Sequence, residues 1–203
     1  MRHGLIRLIT LASLSSVGFL ALPCSAEPMT IKQPGNHPNY GFELEPHLLL
    51  GTGRLGPGYG GGFGLGARGS IPIVDNGFIE TINNSVAISF GVDWIHYNGY
   101  DYRYGCKYNG KDLCVYRPYY DYSTNYVSIP VTLQWNFFLS KHWSVMGELG
   151  PDLAFYSDPV FNELNLDVDL AIFAGGRWHF AESTALTLRV GYPSSSIGFS
   201  FLL

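Results

Sequence analysis

His142, Ser144 and Glu148 bring a base, a hydroxyl nucleophile and an acid into one short segment. A serine attacks only when a base lies within hydrogen-bond reach and a third group orients that base. On a strand, His142 and Ser144 share a face, so the first condition is open to them. Gly56-x-Gly58-x-x-Gly61 has the letters of a dinucleotide-binding fingerprint. That fingerprint works at a strand-to-helix turn, and no helical pattern follows here. Gly60, Gly62, Gly64 and Gly66 instead leave room on one strand face for bulky neighbours. The histidines show no metal-ligand spacing. The expected catalytic, cofactor-binding and metal sets are therefore empty.

A larger set of charges recurs at alternate positions: Glu43, Glu45, Arg68, Asp93, Glu148, Asp152, Asp167, Asp169, Arg177 and Arg189. Acids outnumber bases in it by seven to three. Charges shielded from water must be paired, hydrated or neutralised. The plainer reading is an enclosed network of ion pairs and waters. The sharper one is a narrow path that prefers cations.

The third group is aromatic. Tyr100, Tyr102, Tyr104, Tyr108, Tyr116, Tyr119, Tyr120 and Tyr122 crowd residues 98–122, read as one long loop. Tyrosines supply rigid, amphipathic contact surface. Cys106 and Cys114 flank a segment containing Asn109-Gly110, a favourable tight-turn pair. The expectation is a disulfide between them, stapling a small hairpin. The loop is then either a surface-recognition site or a plain extension that touches lipopolysaccharide. In the second case Arg103, Lys107, Lys111 and Arg117 face lipid phosphates.

Strands must position these groups. Phe42, Leu44, Pro46, Leu48 and Leu50 alternate with Glu43, Glu45 and His47. Val127, Ile129, Val131, Leu133 and Trp135 alternate with Ser128, Thr132, Gln134 and Asn136. Leu164, Leu166, Val168, Leu170 and Ile172 face away from Asn165, Asp167 and Asp169. Strict two-residue alternation is the strand signature, and eight such segments follow one another. Residues 140–142 and 181–183 are tight connections and 74–83 a longer one. The 25 glycines and 12 prolines argue against long helices.

The 203 residues suit one domain. Hydrophobic residues make up 46% and charged ones 14%, which is not a disordered composition. Residues 1–26 read as a secretory signal peptide: Arg2 and Arg7, then an apolar run from Leu8 to Leu22, then Cys24-Ser25-Ala26 before the cut. A lipidated Cys24 is the rival, and Pro23 fits it poorly. Residues 27–40, with Pro28, Pro34 and Pro38, read as a loose leader, and 41–203 as the folded domain. The net charge of −4 becomes more negative once Arg2 and Arg7 leave, which disfavours a nucleic-acid partner. Losing Cys24 leaves one pair of cysteines in an oxidising compartment.

Alternation alone fits a soluble barrel and a membrane barrel equally. Volume separates them. The apolar face is bulky and the other face is small and polar, and an eight-stranded interior is only just wide enough for side chains. No charge sits on the apolar face, as contact with hydrocarbon requires. A closed sheet also leaves no unpaired edge in lipid. The expected fold is all-β: a closed antiparallel up-and-down transmembrane β-barrel of eight strands. Trp94, Trp135, Trp143 and Trp178, with Tyr97, Tyr126, Phe155, Tyr156 and Tyr192, are read as aromatic girdles.

The chain ends in Ser196-Ile197-Gly198-Phe199-Ser200-Phe201-Leu202-Leu203. With the signal and the strand count, this segment resembles the small eight-stranded bacterial outer-membrane barrels of the OmpA/OmpX-like superfamily, over residues 41–203. Those proteins usually end in Phe or Trp, and this chain ends in Leu203. The resemblance implies insertion by the outer-membrane assembly machinery, partnership with outer-membrane lipid and lipopolysaccharide, and a location in the cell outer membrane. It does not name an extracellular ligand. His142, Ser144 and Glu148 are similar in type to the set used by outer-membrane lipid A deacylases. Their place beside a periplasmic turn is far from the outer leaflet. The expected function is non-enzymatic, structural or surface-interacting. The alternatives are a binding module acting through the tyrosine-rich loop, a narrow channel or a lipid-modifying enzyme.

Overall fold

The computed structural model describes residues 28–52, 59–106, 114–157 and 164–203, and the side chains of 28–51, 61–98, 123–156 and 164–203. The signal segment, both cysteine side chains and the side chains of residues 100–122 lie outside those described. So do Gly56, Gly58 and all of Tyr108.

The alternating segments become eight strands: β1 (Glu43–Thr52), β2 (Tyr59–Val74), β3 (Asn84–Cys106), β4 (Cys114–Phe138), β5 (Trp143–Ser157), β6 (Leu164–Ala181), β7 (Thr184–Tyr192) and β8 (Ser194–Leu202). Each pairs antiparallel with the next, and β1 pairs with β8 to close the barrel. The closing seam runs from Glu43 opposite Leu202 to Gly51 opposite Ser194. Closure satisfies the backbone groups that a sheet edge would leave bare.

An even strand number puts the start of β1 and the end of β8 at one end of the barrel. The connections after β2, β4 and β6 share that end, here termed the turn end. The opposite, loop end carries the connections after β1, β3, β5 and β7.

Burial shows which face is inside. Leu48, Phe63 and Leu166 are 64%, 61% and 64% exposed, while Glu45 and Arg189 are each 1% exposed. This is the inverse of a water-soluble barrel. The two-residue period sets the inversion: once Glu45 points inward, Leu44, Pro46 and Leu48 of β1 are committed outward.

Two expectations need correction. Residues 98–122 are not one loop. β3 continues to Cys106 and β4 begins at Cys114, so both arms are strand. Tyr100, Tyr102 and Tyr104 already carried a two-residue period, but Gly99, Gly105 and Pro118 read as loop punctuation. The segment at 28–40 is not loose either. Thr30 donates its amide to Leu139 O at 3.0 Å, and the Asn83 amide donates to Ile31 O at 2.7 Å. His37 stacks on Phe138 with ring centroids 4.7 Å apart. Apolar and amide contacts across the turn end hold this segment, and no local pattern announces them.

Candidate functional site

The inward faces of β1, β2, β3, β5 and β7 build one connected ion network. Arg189 of β7 donates through Nη1 to Glu45 of β1 and through Nε to Glu148 of β5 at 2.7 Å. Arg68 of β2 donates to the other oxygen of Glu148 at 2.8 Å and to Asp93 of β3 at 3.2 Å. His47 closes the path, with Nε2 2.8 Å from Asp93 and Nδ1 3.8 Å from Glu45. The circuit spans the lumen from wall to wall. The Arg68 guanidinium also lies 4.4 Å over the Phe173 ring.

A second set sits toward the turn end. Arg177 donates to Glu43 at 2.5 Å, and Ser70 donates to the other Glu43 oxygen at 2.8 Å. Just outside the strands there, Tyr40 has its phenol pushed up to about 12 by burial and by the nearby Glu43 carboxylate.

Toward the loop end, Asp152 accepts from Ser128 and, at 3.3 Å, from Tyr126. Above it Leu49, Ile95, Tyr97, Tyr126 and Ala154 form a buried apolar cluster on the inward faces. The Tyr97 and Tyr126 rings meet edge to face at 6.2 Å. Both were expected in the girdle. Tyr97 shares the parity of Asp93, and Tyr126 that of Ser128, so both turn inward. The outward aromatics do cluster at the turn end: Trp178 lies 5.9 Å from Phe180, Phe180 lies 6.4 Å from Phe199, and Trp135 lies 4.8 Å from Phe137.

Glu43, Glu45, Arg68, Asp93, Glu148, Asp152, Arg177 and Arg189 are thus buried together. Asp167 and Asp169 are not part of the network. Asp167 is exposed and Asp169 half-buried, and Asp169 accepts from Tyr192 at 2.7 Å. They share the inward parity of β6 but lie toward its loop end. Sequence reasoning left out His47 as a member, although its alternation with Glu45 on β1 placed it on the same face.

Small residues make room for large ones. A Cβ at Gly62 would stand 2.7 Å from the Tyr97 ring and 2.8 Å from Ile95. We expect Gly62→Ala to destabilise the barrel by about 1–3 kcal/mol through overpacking. Urea unfolding in micelles measures it. In the double variant with Tyr97→Ala, the cost of the added methyl should shrink by more than additivity allows.

The contact that strand parity left open to His142 and Ser144 is not the one that forms. Ser144 Oγ lies 2.9 Å from Nε2 of His179, not of His142. His142 instead accepts the His179 amide through its backbone oxygen at 2.7 Å. The other ring nitrogen of His179, Nδ1, has no protein hydrogen-bond partner, so no acid orients the base. Glu148 is held by two arginines elsewhere in the lumen.

In the hairpin the register sets Tyr104 opposite Tyr116 and Cys106 opposite Cys114. The register shifts between Asp101–Tyr120 and Tyr102–Pro118, which leaves Tyr119 as the extra residue on β4. Tyr100 faces Asp121 across the ladder.

No protein-family model matches this chain. No curated protein matches it either. Among solved structures, it is similar to Ail, the attachment invasion locus protein of Yersinia pestis, at 13% identity and a TM-score of 0.47, over 81% of this chain and 100% of that one. Ail in complex with the heparin analogue sucrose octasulfate is similar at 12% identity and a TM-score of 0.45, over 81% of this chain and 100% of that one. Neisserial surface protein A is similar at 15% identity and a TM-score of 0.44, over 80% of this chain and 97% of that one. Similarity at this level carries no functional assignment. The fold stands on the chain's own strand register: a closed, eight-stranded, antiparallel up-and-down barrel with apolar side chains outward and charges within.

Proposed function

We propose that this chain is an exported outer-membrane barrel with a structural or surface-interacting role and no enzymatic one. One observation carries the reading: among the described residues, an outward apolar belt free of charge surrounds an interior of mutually paired ions. Leu48, Leu65, Leu149, Leu170, Leu188 and Ile197 of that belt are each at least 45% exposed. Water would oppose such a surface, and acyl chains would cover it.

In this reading residues 1–26 are a cleaved signal peptide, 41–203 the inserted barrel, and the turn end faces the periplasm. The terminal Ile197, Phe199, Phe201 and Leu203 present apolar groups to lipid and to the assembly machinery. Enzymatic readings lose support because the Ser144–His179 pair has no acid orienting it. A channel reading loses support because ion pairs cross the lumen and the Tyr97–Tyr126 cluster stands on its inward faces. Planar-bilayer recording should therefore show no stable conductance, and a steady cation-selective current would overturn the closed-lumen view.

The register favours a second, compatible role for the hairpin. Opposed cysteines at its tip would form a disulfide that holds the arms together. The Tyr104–Tyr116 pair and the other tyrosines along the arms would give a rigid recognition face, outside the cell and beside lipopolysaccharide. Extraction tests the first proposal. The chain should need detergent and should migrate differently on gels before and after heating. Free solubility of the folded chain would sink it. Deleting residues 100–120 should leave that mobility shift intact and remove any cell-surface adhesion the full chain confers.

A further inference from the structure

The connection between β2 and β3, residues 75–83, turns back along the outside of the barrel wall. Val86 of β3 shows this. It has the outward parity of Ile88, yet it is 0% exposed where Ile88 is 41% exposed. Val86 stands opposite Trp135 of β4, and the Phe78 ring meets Trp135 edge to face at 5.4 Å. Gly77 marks a close approach: a Cβ there would meet Asn84 Oδ1 and stand 3.3 Å from the Trp135 indole nitrogen. The connection thus lies over β3 and β4 on the side that carries the apolar belt.

Its polar groups are turned in on themselves. Asn84, fully buried, donates through Nδ2 to Ile79 O at 2.7 Å and to Ile82 O at 2.8 Å. Its Oδ1 accepts from Trp135 Nε1 at 2.8 Å, and its backbone oxygen accepts the Gly77 amide at 2.9 Å. Irregular backbone is tolerated against lipid only where such groups find partners in the protein.

The apolar groups face the other way. Phe78 is 63% exposed, and Ile79 is exposed beside it. This patch is continuous with the belt through the exposed Ile71 and Ile73 of β2. Asp75 and Glu80, both exposed, flank the apolar pair. A charge costs little near the membrane interface and much at the midplane, so these acids keep the insertion shallow.

We propose that the β2–β3 connection is a membrane anchor, with Phe78 and Ile79 seated among the lipids of the turn-end leaflet. The inference rests on the outer-membrane reading and adds to the strands a lipid-bound element outside them.

The test uses the folded full chain in phosphatidylcholine nanodiscs, with methyl-labelled isoleucine. One sample contains lipid with a nitroxide at the headgroup end of its acyl chain. Another receives a soluble gadolinium chelate. The Ile79 methyl signal should broaden with the lipid nitroxide and be spared by gadolinium. Ile172, exposed on the outer face of β6, is the control for lipid contact. Phe78→Asp should abolish the lipid broadening at Ile79 and leave Ile172 unchanged. Phe78→Leu loses the ring contact with Trp135 but stays apolar, and should keep the broadening. If gadolinium broadens Ile79 while Ile172 still meets lipid, the anchor is overturned and the patch belongs to water or to a periplasmic protein. Lipid broadening that Phe78→Asp leaves intact also overturns it. Lipid silence at Ile172 as well overturns the outer-membrane reading, and the anchor with it. Heat-dependent mobility shows which variants are folded, and the unsubstituted chain decides alone if Phe78→Asp is not among them.

Discussion

Glu148→Ala should lower the stability of the barrel by about 3–5 kcal/mol, the cost of breaking a buried ion pair from one side. Glu148 accepts from Arg189 at 2.7 Å, from Arg68 at 2.8 Å and from Thr132 at 3.3 Å. Without it, among the described residues, Arg189 keeps only Glu45 and Arg68 keeps only Asp93 as carboxylate partners. Both guanidiniums stay 97% or more buried, so water cannot easily replace what is lost. Glu148→Gln retains acceptor and shape but not charge, and should fall between. Asp167→Ala is the matched control. That carboxylate is exposed and, among the described residues, bonds only the Val168 amide, at 2.9 Å. Its loss should stay within about 0.5 kcal/mol. Urea midpoints in micelles, followed by tryptophan fluorescence, measure all three. If Glu148→Ala unfolds like the control, the network is not what holds the interior together.

Leu149→Arg should cost about 2–4 kcal/mol in a bilayer. Leu149 is 53% exposed, lies midway along β5 and stands opposite Leu133 on β4 and Ile172 on β6. A guanidinium there must leave water for hydrocarbon. Leu164→Arg, at the loop end of β6 and 77% exposed, should cost only about 0–1 kcal/mol. The depth dependence is the signature of lipid. In a water-soluble barrel both changes would be surface substitutions with effects near zero. Reversible unfolding from vesicles gives the comparison, and equal, negligible costs at the two positions would remove the membrane from the account.

Much of the fold is legible because a strand alternates strictly. Glu43, Glu45 and His47 against Leu44, Pro46 and Leu48 already state which side is which. Eight such segments, all with bulky apolar residues on one side and compact polar ones on the other, imply a narrow closed barrel turned inside out. The same rule, applied without exception, would have placed Tyr97 and Tyr126 inside. Tyrosine suits an interface, which favours the girdle for both, yet parity outranks residue type once the register is set. The hairpin is hard to read from sequence for a related reason. Its period is carried by tyrosines and interrupted by glycine and proline, so it looked like a loop.

The amino-acid order by itself determined the strand count, the two faces and most members of the buried charge set, because these depend on a local period of two. Only the closed tertiary structure decided which charge meets which. Arg189 reaches Glu45 and Glu148, and Arg177 reaches Glu43, across separations of 41 to 144 residues. Stagger around the barrel sets those meetings. It also brings His179 to Ser144 and folds residues 28–40 across the turn end. No neighbour-to-neighbour pattern encodes such contacts, since they arise from the relative heights of strands that meet only when the sheet closes.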